Sequence, residues 1–285
     1  MKDLTNKRLL VFGGITLIFL LIFSRLYYQS RNNILLTLLM LTPMVSVLLT
    51  RLLTKEGFGK LFIKPKIKGN IKWYLAAYFL TPFIAYSGAA LFFVLNPSQM
   101  DPLNSKFAAE AGISTLSEYY RLLLTAIPLA IIINPIMGLL GCFGEEFAWR
   151  GYLLPKLCEK TSVPKAVLLN GVIWGLWHAP VIAAGFNYGA SNIALGAAAM
   201  IVLCVVLGTI ESFLFFKTKS IWASVFFHAA VNGIDLWAPS ALFMSKEANM
   251  FIGPDLIGAA GGIGFIVSAL ICFAAICNNQ AKFKP

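Results

Sequence analysis

Long apolar runs broken by short polar interruptions set the pattern of this chain. With a span taken as about 17 to 25 apolar residues, eight runs qualify, at about 9–28, 34–50, 73–95, 122–154, 166–184, 193–216, 221–237 and 256–277. The pattern predicts an all-α fold, a polytopic membrane helical bundle with about eight transmembrane helices. The fourth run is too long for a helix standing upright in a bilayer. It is expected to tilt, to kink near Pro135 or to continue past the hydrocarbon, and to stop before Pro155. No internal repeat or low-complexity linker stands out, so residues 1–285 read as a single integral membrane domain. Composition agrees: 59% of the residues are hydrophobic and 12% charged, against about 25% charged in a soluble domain.

Charge adds orientation. A net charge of +11 would suit a nucleic-acid binder. The basic residues, however, lie in short loops between apolar runs, where membrane topology explains them. The expected surroundings are therefore a lipid bilayer, with no nucleic acid. With the N-terminus inside, the inner side holds the basic residues from Lys2 to Lys284, all but Arg25, Arg31, Lys106, Arg121 and Lys246 of the 23. By the positive-inside rule both termini are expected in the cytoplasm. The first run has a basic start but no small-residue cleavage site after it, and reads as a retained span. Segment 51–72 alternates lysines with Leu, Phe and Ile. It reads as a basic connecting loop, with an element lying along an anionic leaflet as the alternative. Segment 96–118, with Asp101, Glu110 and Glu118, is a mildly acidic outer loop. The five cysteines form no C-x-x-C pair, which indicates neither a disulfide framework nor a thiolate metal site.

Against this background a few polar side chains stand out. Gly144-Glu145-Glu146-Phe147-Ala148-Trp149-Arg150 places two carboxylates and a guanidinium at membrane depth, which is costly unless they face inward and are used. On a helix Glu146 and Arg150 share a face at i,i+4 and can neutralise one another, whereas Glu145 points about 100° away. One carboxylate reads as structural and the other as available for work; a solvated helix end with a surface ion pair is the plainer alternative. The two histidines, His178 and His228, both fall within apolar runs, with Trp174 four residues before the first and Asn232 four after the second. Counted from the nearest helix ends, Glu145, His178 and His228 lie roughly 15, 20 and 14 Å deep from the inner side. Interhelical hydrogen bonding is the ordinary role of such residues, and their similar depth is compatible with one site. Glu211 reads as a structural carboxylate reached by a snorkelling Lys217. Asp235, seven residues after His228, is expected on the same face at the outer mouth.

Glu145-Glu146-x-x-x-Arg150, Trp174-x-x-x-His178 and His228-x-x-x-Asn232, in this order on separate runs, resemble the three motifs of a known family. It is the CAAX-prenyl-protease and bacteriocin-processing family of intramembrane endopeptidases, also called the Abi or self-immunity family. The neighbouring text, Trp174-Gly-Leu-Trp-His-Ala-Pro180 and Lys217-Thr-Lys-Ser-Ile-Trp222, is similar too, so that the likeness covers a motif-bearing core of about residues 120–235. Two positions depart from the pattern: Trp174 stands where the family usually shows Phe, and Lys219 where Gly is common.

The resemblance implies hydrolysis of a peptide bond near the cytoplasmic side of the membrane, in a membrane-associated peptide or protein. It casts Glu145 as the base that activates water and His178 as the group that orients or protonates. His228 and Asn232 would stabilise the oxyanion, with Glu146, Arg150 and Trp174 in support. Elementary chemistry is compatible. A carboxylate among apolar walls accepts a proton more readily than one in water, and an amide and an imidazole N–H suit a developing oxyanion. Glu145, His178 and His228 could instead ligate zinc, with a position left open for water. The lack of H-E-x-x-H, and Asn232 being a poor zinc ligand, favour a metal-free glutamate mechanism with no cofactor. The resemblance leaves open a prenylated substrate or, in a prokaryotic cell membrane, peptide processing or bacteriocin immunity; the oligomeric state is also open. Two other classes compete: a proton- or ion-coupled transporter using Glu145, Glu211, His178 and His228 as a relay, and a catalytically silent scaffold.

The orientation is tested by reporter fusions. Fusions after Pro97 and Gly185 are expected to report an external location, and those after Lys64 and Lys160 an internal one. A cytoplasmic signal from the Pro97 fusion would overturn the assignment.

Overall fold

A computed structural model describes residues 2–188 and 192–283; Lys284, counted above among the inner charges, lies outside the described residues. Among these residues the secondary structure is helical, with no strand, and the all-α expectation holds. The helices are α1 (Lys2–Ser30) and α2 (Ile34–Leu53), α3 (Ile71–Leu95), the short α4 (Lys106–Ala111) and α5 (Leu116–Cys158). They continue with α6 (Val163–Ala183), α7 (Ile193–Thr218), α8 (Trp222–Asp235), the short α9 (Pro239–Phe243) and α10 (Ile263–Asn278). Six of them (α1, α2, α3, α5, α6 and α7) are long and apolar enough to cross a membrane. The seventh and eighth expected runs are the helices α8 and α10, of 14 and 16 residues, which are shorter than the usual span of about 17 to 25.

Leu10, Leu124 and Met137 are 76%, 77% and 77% exposed. In water so much outward apolar surface would drive association; facing lipid it is the stable arrangement.

The fourth run departs from expectation at its end. Helix α5 does not stop before Pro155 but runs to Cys158. Trp149–Leu153 forms one turn of π-helix, and the Leu154 amide donates five residues back to the Trp149 carbonyl. A proline inside an α-helix removes a hydrogen bond and drives its ring into the preceding turn. The wider π turn just before Pro155 relieves both effects.

The chain divides into two compact units, one of residues 1–74, 140–225 and 269–285, the other of 75–139 and 226–268. In the first unit α1 lies along α2 and α6 along α7. The second pairing is close because α6 presents Gly171 and Gly175 at small-xxx-small spacing. A methyl group at Gly175 would stand 2.5 Å from Ile201 Cα, and one at Gly171 would stand 2.7 Å from Val205 Cα. Helix α5 approaches α2 in the same way, since a methyl at Gly144 would meet the Met40 carbonyl at 2.8 Å. Segment 54–70 is a connecting loop tied to the turn between α7 and α8. The Ile221 amide donates to the Phe62 carbonyl at 3.0 Å, and Trp222 Nε1 to the Ile63 carbonyl at 2.7 Å.

In the second unit α5 passes unbroken through Pro128 and Pro135. The carbonyl of Ile132, in the turn before Pro135, accepts from Tyr78 Oη at 2.5 Å. A side chain thus supports the backbone where proline interrupts the ladder. Helix α8 rests on that place: a methyl at Gly233 would meet Pro135 Cδ at 3.0 Å, and Asn134 Nδ2 donates to the Gly233 carbonyl at 3.2 Å.

The close pairing of α6 with α7 predicts that Gly175→Ala lowers stability by about 1–3 kcal/mol through overpacking. Thermal melting in detergent checks it, and an unchanged midpoint would mean that α7 yields freely.

Candidate active site

Glu145 lies one turn before the π segment and is 2% exposed. Its Oε2 accepts two indole N–H groups, Trp149 Nε1 at 3.1 Å and Trp174 Nε1 at 2.7 Å. Glu145, read above as pointing away from Arg150, thus has an i+4 partner of its own, because Trp149, four residues on, is a donor as well as an apolar ring. Oε1 has no hydrogen-bond partner among the described residues. One oxygen is held by two neutral donors and the other stands available.

The indoles are fixed in turn. The Trp149 ring meets Trp177 edge-on at 5.8 Å and Phe12 at 6.2 Å. The Trp149 carbonyl, where the π turn begins, also accepts from Asn170 Nδ2 at 2.9 Å. Asn170 is fully buried and sits one turn before Trp174 on α6. It ties the helix that carries Trp174 to the helix that carries Glu145. Sequence reasoning passed over both Trp149 and Asn170. Their signal was the four-residue offset of each from a residue already singled out.

Beside this cluster lies a buried ionic one. Arg150 is fully buried, so it is no part of the loop charge counted above. Its Nη1 lies 2.8 Å from Glu146 Oε1, its Nη2 pairs with Glu211 Oε2, and its guanidinium stacks over the Trp174 ring at 4.4 Å. Gly208 makes room, since a methyl there would stand 3.0 Å from Arg150 Nη2. The reading of Glu211 as the partner of Lys217 is thus corrected. Six residues along a helix is about 240° of rotation, which points Lys217 away from Glu211. Lys217 Nζ instead sits over the rings of Trp73, Phe213 and Phe283, at 5.6, 5.2 and 5.1 Å. The Glu211 carbonyl accepts from Ser224 Oγ at 2.9 Å.

His178 Nδ1 lies 3.0 Å from the Trp174 carbonyl and 3.8 Å from Cys204 Sγ. A carbonyl can only accept, so in the neutral ring the proton sits on Nδ1 and Nε2 is the basic nitrogen. The ring also meets Trp177 edge-on at 4.8 Å. Glu145, Trp174 and His178 are thus linked through one another within the first unit.

His228 and Asn232 belong to the second unit, one turn apart on α8, with His228 buried and Asn232 half-buried. Asp235 ends the same helix. Of the alternative zinc ligands, Glu145 could offer Oε1 alone, because indole donors hold Oε2, and His178 could offer Nε2.

Removing one member of a buried charge network leaves the others uncompensated, at a cost of about 3–5 kcal/mol. Arg150→Ala is therefore expected to lower the folded yield and melting temperature sharply in detergent. Arg150→Lys should recover only part, since an ammonium cannot fork between two carboxylates. An Arg150→Ala protein that melts like the wild type would refute this role.

Comparison with known proteins bears on the same segment. Residues 121–234 match the model of the type II CAAX prenyl endopeptidase Rce1-like family. The chain is 33% identical over 98 residues to CAAX prenyl protease 2 of Methanococcus maripaludis, across 33% of this chain and 36% of the relative. It is 27% identical over 173 residues to YdiL of Bacillus subtilis, a protein described as a candidate membrane peptidase, across 59% of this chain and 56% of that one. The matches thus span about a third of the length of the first relative and just over half of the second. The resemblance drawn from the three motifs is borne out: residues 121–234, which hold all three, match the model of the Rce1-like family of type II CAAX prenyl endopeptidases.

Proposed function

We infer that this protein is a membrane protease that hydrolyses a peptide bond in a membrane-associated peptide or protein, with Glu145 activating the attacking water. The observation that carries the reading is the asymmetry of the Glu145 carboxylate. Two indole N–H groups hold Oε2 while Oε1 has no hydrogen-bond partner among the described residues. Clamping one oxygen fixes the direction of the other, which is what a general base needs before geometry can favour proton transfer.

The chemistry runs as follows. A water donates one proton to Glu145 Oε1 as its oxygen attacks the scissile carbonyl. The carbonyl π electrons move to oxygen, and N–H donors stabilise the oxyanion, a role that the motif resemblance implies for His228 and Asn232. On collapse the C–N bond breaks, and the proton passes to the leaving amine with His178 orienting or relaying it. The neutral indoles matter here because they position a carboxylate without pairing its charge. Arg150, already shared by Glu146 and Glu211 and stacked on Trp174, takes no part in the transfer. The matched CAAX prenyl protease 2 supports a CAAX-type substrate, and the loop charges support cleavage near the cytoplasmic face; a prokaryotic peptide-processing role uses the same chemistry. The protein carries out this reaction without a metal.

The transporter reading is weakened by the place of Glu211, whose carboxylate pairs with a buried arginine instead of standing in a relay. Glu211→Gln is expected to lower the melting temperature, and any loss of cleavage should follow the loss of folded protein.

The decisive variant is Glu145→Gln. Its amide oxygen can still accept from the indoles, so the fold should persist, while turnover of a membrane-embedded reporter peptide should fall roughly 10² to 10⁴-fold. His178→Ala should be similarly impaired, and the double variant should lose little more, because residues acting as a unit are non-additive. Activity should survive a strong chelator. Near-normal cleavage by folded Glu145→Gln, or activity lost to chelator and restored by zinc, would contradict the mechanism.

A further inference from the structure

Away from Glu145, the first unit contains a polar cavity of about 540 Å³ at the end of α5, beside the loop after α2. Arg8, Arg51, Lys60 and Lys156 line it, against the carboxylates of Glu56 and Glu159. Both carboxylates are already engaged. Glu56 Oε1 lies 2.9 Å from Lys156 Nζ, and its Oε2 lies 3.0 Å from Tyr152 Oη and 3.5 Å from Arg8 Nε. Glu159 accepts from Thr5 Oγ1 at 2.7 Å and from Lys156 Nζ at 3.2 Å. Burial pushes the Glu56 carboxyl up, but the hydrogen bond and charge of Lys156, with help from Tyr152 and Arg51, hold it below its ordinary value. It therefore stays ionised and keeps Lys156 occupied.

Two cations are left over. Arg51 is only 5% exposed. Its Nη1 donates to the Gly57 and Gly59 carbonyls at 2.7 and 3.1 Å, and the guanidinium lies over the Tyr152 ring at 5.4 Å. Its Nε, however, is buried with no hydrogen-bond partner among the described residues. A buried N–H left unmatched is costly, and here it belongs to a permanent cation on a cavity wall. Lys60 is exposed on the same wall and has no ionic partner among the described residues. Directly after Arg51, Leu52 and Leu53 are 60% and 69% exposed. The surplus positive charge of the cavity thus lies next in sequence to an outward apolar surface.

We propose that this cavity binds the phosphoryl group of an anionic phospholipid, with the Arg51 guanidinium and Lys60 Nζ donating to its oxygens and the acyl chains lying over Leu52 and Leu53. A basic pocket among helix ends on the lysine-rich side of a membrane protein is suited to such a headgroup. Arginine and lysine together supply a directional donor and a point charge. The Leu52–Leu53 surface favours a lipid over free phosphate. This inference is independent of the catalytic reading.

The test uses the purified full chain in an uncharged detergent, with thermal melting followed as ligand is added. Short-chain phosphatidylglycerol should raise the melting temperature saturably, and phosphatidylcholine of the same chain length should not. Lys60→Ala should weaken the apparent affinity about fivefold, the effect of one cation at a membrane surface. Lys68→Ala removes the same charge from an exposed position outside the cavity and should change nothing. Arg51→Lys, read against its own lipid-free melting temperature, should also weaken the response. Equal shifts from the two lipids, or equal losses from Lys60→Ala and Lys68→Ala, would overturn the site. Inorganic phosphate binding as tightly as phosphatidylglycerol would overturn its assignment to a lipid.

Discussion

The guanidinium of Arg150 is the contact on which the interior of the first unit depends. It is fully buried, it joins Glu146 on its own helix to Glu211 on α7, and it stacks on Trp174 of α6. Three helices therefore meet around one cation. A buried cation of this kind is tolerable only when its partners are all in place. Each helix is held in register by the cost of misplacing it. The same stacking fixes the Trp174 indole, and that indole donates to Glu145. The order of the candidate site is thus inherited from the ion cluster beside it.

This arrangement divides the labour among three carboxylates. Glu146 and Glu211 share the arginine, while Glu145, next to Glu146 in sequence, is met by neutral donors. Adjacent residues on a helix point about 100° apart, which is enough to send one carboxylate to an ion pair and the other to a pair of indoles. The backbone supports the separation. Gly144 lets the turn carrying Glu145 press against α2, and Gly171 and Gly175 let α6 press against α7. The π turn at Trp149–Leu153 follows at once and carries Arg150 itself.

Much of this was legible in the sequence because it depends on periodicity. Helix type, the apolar runs and the i,i+4 relation of Glu146 to Arg150 follow from 3.6 residues per turn. The three motifs also pointed to the family whose model residues 121–234 match. What the sequence hid was long-range or depended on chemistry that apolar residues share. Glu211 was assigned to Lys217 because they are neighbours in sequence, whereas its partner lies 61 residues away. Trp149 was passed over, and its indole N–H with it. The end of α5 was misplaced because Pro155 is a helix breaker in an α ladder, and a π turn cannot be seen in composition. Helices α8 and α10 are shorter than their apolar runs because residues at both ends of the first run and at the start of the second serve in turns.

In the proposed reaction water, activated by Glu145, attacks the substrate directly. A single-turnover cleavage in ¹⁸O-labelled water tests it, with mass analysis of both the new C-terminus and the peptide containing Glu145. The account predicts one labelled oxygen in the product carboxylate on the first turnover and none in Glu145. An unlabelled first product, with the label found in Glu145, would mean that the carboxylate attacks as a nucleophile, and would contradict it.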